Sequence, residues 1–135
     1  MTATVVYLGN LRTENTHVQS GNSFLTDAPT DNNGKGEAFS PTDTVATALA
    51  NCMLTVMAIK ANSMQTNMEN TRAEVTKTMA ADPRRISKIE VHLYFPMNYD
   101  EKTRKILENT GRNCPVSKSL HPEIEQLVSF HYPDE

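Results

Sequence analysis

The chain has 135 residues, 13 Lys+Arg against 16 Asp+Glu, a formal net charge of -3 and 38% hydrophobic residues. This is the size of a single domain, 1–135, with room for one hydrophobic core and none for a second, and it needs no disulfide or metal to hold that core. The charge balance lacks the basic footprint by which proteins grip nucleic acid, which excludes nucleic acid as a partner.

In chain order, residues 3–9 (Ala-Thr-Val-Val-Tyr-Leu-Gly) and 16–26 (Thr-His-Val-Gln-Ser-Gly-Asn-Ser-Phe-Leu-Thr) carry β-branched and aromatic residues punctuated by Gly-Asn pairs, predicting an N-terminal β-meander. Met1 to Asn10 shows no basic segment followed by an apolar run and a small-residue cleavage site, so no secretory signal is expected and the cytoplasm is the expected location. The run from Asp27 to Gly36 is dense in turn formers and reads as a loop. Ser40-Pro41-Thr42-Asp43 is a helix start, with Ser40 as N-cap, Pro41 at the first helical position and Asp43 three residues past the cap. The helix it opens, over about 41–62, is apolar nearly all round, so it should be central and covered on several sides. Thr44, Thr47, Asn51, Thr55 and Lys60 interrupt its apolar stretch, which on this reading falls short of a membrane span.

Two strands are expected next, over 68–79 and 86–95, joined by the turn Ala81-Asp82-Pro83-Arg84. In the second, Ile89, Val91, Leu93 and Phe95 alternate with Lys88, Glu90, His92 and Tyr94. Asp100–Asn109 reads as a charged helix ended by Gly111, followed by a short helical turn after Cys114 and a last strand over 124–132. Helices inserted between antiparallel strands define an α+β fold.

The two cysteines carry the candidate chemistry. In a reducing compartment such a pair is either inert and buried or reactive. Cys52 sits midway along the apolar helix among Ala48, Leu49, Val56 and Ile59, which by itself reads as core packing. Cys114, in Arg112-Asn113-Cys114-Pro115-Val116-Ser117-Lys118, sits at a helix N-cap between two cations, where a thiolate is favoured. Pro115 has no N–H to trap a Cys114 sulfenic acid as a sulfenamide, so a second thiol is the natural partner. A zinc site from both cysteines and one of His17, His92, His121 or His131 lacks the spacing that closes such sites. His121, between Leu120 and Pro122, reads as ending a helix, and no Gly-x-Ser-x-Gly is present for a serine hydrolase. No bound cofactor or metal is expected.

Three segments carry a resemblance: Phe39-Ser40-Pro41-Thr42-Asp43, then Ala46-Thr47-Ala48-Leu49-Ala50-Asn51-Cys52-Met53-Leu54, and Asn113-Cys114-Pro115-Val116-Ser117-Lys118-Ser119-Leu120-His121-Pro122. In content and order they resemble the OsmC/Ohr family of osmotically induced and organic-hydroperoxide-resistance proteins. The resemblance implies an intertwined homodimer, an antiparallel sheet wrapped around long central helices, and a thiol peroxidase for organic hydroperoxides or hydrogen peroxide recycled by a dihydrolipoyl-type dithiol. It assigns peroxide attack to Cys52 and resolution to Cys114, against the local reading. It also makes Arg12 the cation that holds the Cys52 thiolate. Many members place a glutamate directly after the helix-starting proline to orient that arginine. Here Thr42 stands there, and Asp43, one residue on, either takes that task or serves only as a cap. The alternative function is a non-catalytic dimeric stress or ligand-binding protein, or a redox sensor, retaining the fold.

Overall fold

The computed structural model describes all residues, Met1–Glu135. The chain divides into two compact units, Met1–Val45 and Ala46–Glu135.

The first unit is a three-stranded antiparallel meander, β1 (Ala3–Gly9), β2 (Arg12–His17) and β3 (Ser23–Asp27), in sequential order. Asn10 and Leu11 both take left-handed backbone conformations, φ 55° and 63°, so the β1–β2 connection is a two-residue turn that feeds directly into Arg12. Leu11 is a poor residue for that region, and its N–H is donated to the Tyr7 hydroxyl at 3.3 Å. The expected strand 16–26 is interrupted: His17 Nδ1 meets Ser20 Oγ at 2.6 Å and the His17 N–H bonds Asn22 O, folding 18–22 into a turn. The loop after β3 holds a 3-10 turn at Thr30–Asn32 and folds back on itself through Gly34 N–H to Pro29 O and Gly36 N–H to Ala28 O. A Cβ on Gly34 would lie 1.7 Å from the Ala28 carbonyl oxygen, so the closed loop admits glycine alone there.

The second unit comprises the body of α1 (Pro41–Ser63), then β4 (Arg72–Ala80), β5 (Arg85–Tyr94), α2 (Glu101–Arg112), α3 (Pro115–Ser119) and β6 (Glu125–His131). β4 and β5 form an antiparallel hairpin, but β6 runs parallel to β5, with Lys88 opposite Glu125 and Tyr94 opposite His131. The expected all-antiparallel sheet is therefore corrected to two three-stranded sheets, one of them mixed. The physical reason is the α2–α3 segment, which carries the chain back along the sheet before β6 begins, the crossover that parallel pairing requires.

In the core of this unit Ala46, Leu49, Ala50, Met53, Met57 and Ala61 of α1 cluster with Ile89, Val91 and Leu93 of β5 and with Leu107 of α2. These α1 positions recur at helical spacing and form one stripe. Each large side chain fully withdrawn from water contributes roughly 1.5–3 kcal/mol. Phe95, stacked on Tyr132 at 4.7 Å between centroids, closes one end of the core beneath the Arg104 guanidinium. The expectation that α1 is covered on several sides is met within one chain only along this stripe, since Ile59 remains 65% exposed. The expectation that this helix falls short of a membrane span is also corrected, because Pro41–Ser63 reaches the length and hydropathy of one. Its stripe is nonetheless packed on a sheet and a helix, as in a core helix.

Candidate redox site

The sequence-derived site residues fall into two groups, a thiol pair in the second unit and an arginine–carboxylate cluster in the first.

Cys52 and Cys114 are both free thiols, and they are near enough in space for Cys52 to disfavour the Cys114 thiolate. Cys52 is half-buried at the edge of the core, whereas Cys114 is fully buried. Cys114 is the N-cap of α3, and its Sγ accepts the Ser117 N–H at 3.4 Å, with Pro115 at the first helical position. The cap expected from the sequence is present, but the expectation that its surroundings favour a thiolate is corrected. Burial pushes the Cys114 thiol above its ordinary value and the neighbouring Cys52 pushes it further, while the Ser117 amide pulls the other way. A helix terminus is worth roughly 0.3–1 kcal/mol to a charge, whereas taking a thiolate out of water costs on the order of several kcal/mol. Arg112, one of the two expected cations, instead lies 5.0 Å over the Phe130 ring.

The glycine expected from the sequence to end the helix before Cys114 is instead part of it. Gly111 lies inside α2, which continues to Arg112, and it is buried. A Cβ there would stand 2.5 Å from Met57 Sδ and 3.1 Å from Met57 Cγ. Glycine thus lets α2 approach α1 beside Met53 and Met57, and the Cys114 N–H is then donated to the Gly111 carbonyl at 3.3 Å. Its one signal in the sequence was a glycine three residues before Cys114 on a helical pattern that need not have stopped.

In the first unit Arg12 and Asp27 are direct cross-strand partners of β2 and β3. Arg12 Nη2 lies 3.2 Å from Asp27 Oδ2 and 3.8 Å from Glu37 Oε2. Asp27 is 1% exposed, and its Oδ2 also accepts the Glu37 N–H at 3.0 Å. The Glu37 amide, ahead of the Arg12 guanidinium, holds the Asp27 carboxyl below its ordinary value against the opposing effect of burial. Asp43 forms a reciprocal capping box with Ser40: its Oδ2 accepts the Ser40 N–H at 3.0 Å and its own N–H is donated to Ser40 Oγ at 3.0 Å. Asp27, hidden in a run of turn formers, is the carboxylate that sequence reasoning missed.

The histidines are engaged elsewhere. His92 Nδ1 faces His131 Nε2 at 3.0 Å across β5 and β6, and His121 Nδ1 accepts the Glu123 N–H at 3.0 Å. No group of three or more His, Cys, Asp or Glu is placed to hold a metal ion.

A small α+β protein with two adjacent free thiols, one half-open on a long helix and one buried at a helix cap, defines a class of cysteine-pair proteins. Residues 34–126 match the family described as OsmC-like protein, and the chain belongs to that family. Among solved structures, a candidate osmotic stress induced and detoxification response protein from Psychrobacter arcticus 273-4 is 55% identical, with 97% of this chain and 96% of that chain covered and a TM-score of 0.94. The organic hydroperoxide resistance protein OsmC from Legionella pneumophila shares 15% identity over 97% of each chain, with a TM-score of 0.75. OhrB of Bacillus subtilis, an organic hydroperoxide resistance protein, shares 16% over 96% of this chain and 98% of that one, with a TM-score of 0.68. At these last two identities the likeness is one of fold. A comparison with curated proteins returned no match.

Proposed function

We propose that the protein is a thiol-dependent peroxidase that reduces organic hydroperoxides or hydrogen peroxide through a two-cysteine cycle. The observation that carries this reading is the proximity of a half-buried Cys52, packed against the core, to a fully buried Cys114 of that core. Cys52, the more accessible thiol, attacks as thiolate: its sulfur takes the distal peroxide oxygen, the O–O bond breaks, and the alkoxide leaves with a proton as alcohol. The Cys52 sulfenic acid then condenses with the Cys114 thiol, releasing water and forming a disulfide. An external dithiol of the dihydrolipoyl type reduces that disulfide and leaves as its own cyclic disulfide. The net change is one hydroperoxide and one dithiol to alcohol, water and oxidised dithiol. Burial suits Cys114 to resolution, because a neutral thiol withdrawn from solvent meets an oxidised neighbour and little else.

In this reading Arg12 is the cation that serves the Cys52 thiolate, and the working protein is a cytoplasmic homodimer. The support for a dimer is the apolar surface left open in one chain. On β1, Val5 and Tyr7 point to one face of the meander and Val6 and Leu8 to the other, all more than half exposed. A three-stranded sheet solvated on both such faces is marginal alone. Consumption of cumene hydroperoxide and hydrogen peroxide with dihydrolipoamide as reductant tests the proposal. Sustained turnover that needs both cysteines is expected. Rapid thiol oxidation without turnover would favour a redox sensor, and inert thiols would favour a non-catalytic binding protein.

A further inference from the structure

We propose that Asp27 is the residue that positions Arg12 for the thiol chemistry, the task that the family resemblance gives to a carboxylate at the start of the central helix. The proposal rests on the peroxidase reading above. At the helix start Thr42 replaces the family's glutamate, and the Asp43 carboxylate is taken up by the Ser40 N–H of the capping box. Asp27, in contrast, stands directly opposite Arg12 in the β2–β3 register, so the pair is set by the ladder itself.

Three features prepare Asp27 for this task. First, its carboxylate is buried, and its Oδ2 also accepts the Glu37 N–H. Second, the segment that delivers that amide is the closed loop 28–36, whose chain reversal at Gly34 leaves no space for a side chain. Third, Asp27 Oδ1 is buried without a hydrogen-bond partner. An orphaned buried acceptor is costly, and this one lies on the same carboxylate that Arg12 already engages. Both ionic contacts of Arg12 use Nη2, and a guanidinium presents five donors in a rigid fork. A small turn of the guanidinium would let Oδ1 accept a second, bidentate bond and leave the rest of the fork to face an anion. With Arg12 at 32% exposure, the fork is held at one end and open at the other.

The test is a cycle of Arg12→Gln, Asp27→Asn and the double variant, read as the rate of Cys52 oxidation by cumene hydroperoxide between pH 5.5 and 9. Arg12→Gln is expected to slow oxidation at pH 7 and move the pH profile upward. Asp27→Asn should slow it on the order of tenfold to a hundredfold, with the same upward displacement, and should add less than about twofold once Arg12 is already Gln, since a positioning residue acts only through what it positions. Equal slowing in both backgrounds, or no slowing by Asp27→Asn while Arg12→Gln slows, overturns the proposal and leaves the peroxidase reading standing. No effect of Arg12→Gln overturns the role of Arg12 itself. If Asp27→Asn does not fold, hydrogen exchange at the Arg12 Nε–H of the unmodified protein decides: strong protection relative to an exposed arginine supports the proposal, and free exchange overturns it.

Discussion

Replacing Gly111 by alanine separates the two forces that act at the contact between α1 and α2. In a solvent-facing helix the change would stabilise by about 1 kcal/mol, because glycine is the costlier residue in a helix interior. Here the new methyl would stand 2.5 Å from Met57 Sδ, and Met57 is fully buried, so it has no open space to withdraw into. Overpacking of this kind costs about 1–3 kcal/mol, so the clash outweighs the propensity gain. The net expectation is destabilisation by about 1 kcal/mol, or a Tm lower by roughly 4 °C for a chain of this length. Thermal melts at one fixed protein concentration, followed by circular dichroism, measure it. In a Met57→Ala background, itself destabilised by about 2–5 kcal/mol, the sign should reverse and Gly111→Ala should stabilise. By pushing α2 away from α1, Gly111→Ala should also slow disulfide formation between Cys52 and Cys114. A Tm raised by Gly111→Ala in the otherwise unmodified chain would refute the close-approach argument.

Further expectations follow from the same geometry. Ser40→Ala removes one half of the capping box and should cost about 1 kcal/mol, read as a lower Tm. At pH 7.5 iodoacetamide should add one carbamidomethyl group to the native reduced protein, at Cys52, and two groups only after unfolding; rapid double labelling would contradict the burial of Cys114. Because the Cys114 thiol is raised above its ordinary 9.0 in the folded state, the native protein holds this proton longer than the unfolded chain does. Stability should therefore be unaffected by this group below about pH 9 and decline above it, and Cys114→Ser should flatten that alkaline limb in urea titrations. Light scattering should return twice the 15.0 kDa chain mass at micromolar concentration; a folded monomer would contradict the proposed dimer.

What the sequence disclosed depended on how local each signal was. The start of α1 was legible because Ser40, Pro41 and Asp43 act within four residues of one another, and the structure forms the capping box they spell. The edge of α3 was legible for the same reason. The charge state favoured at Cys114 was misread because a neighbourhood of Arg112 and Lys118 in sequence says nothing about burial in space, and burial decides the thiol's protonation. The direction of β6 was hidden because strand pairing is set by the path of α2 and α3, whereas periodicity reports only which face is apolar. Asp27 was hidden in a turn-forming run and acquires its partner only through the β2–β3 register. Gly111 illustrates a signal with two meanings, since glycine both ends helices and admits close helix contact, and only the position of Met57 separates them.

The central claim is that Cys52 and Cys114 form one redox unit in which Cys52 reacts first. Intact-mass analysis after one equivalent of cumene hydroperoxide tests it directly, on the unmodified chain and on each single Cys→Ser variant. Expected are loss of two hydrogens in the unmodified chain, gain of one oxygen in Cys114→Ser, and far slower reaction in Cys52→Ser. A Cys114 that oxidises first, or an unmodified chain that gains oxygen without closing the disulfide, would contradict it.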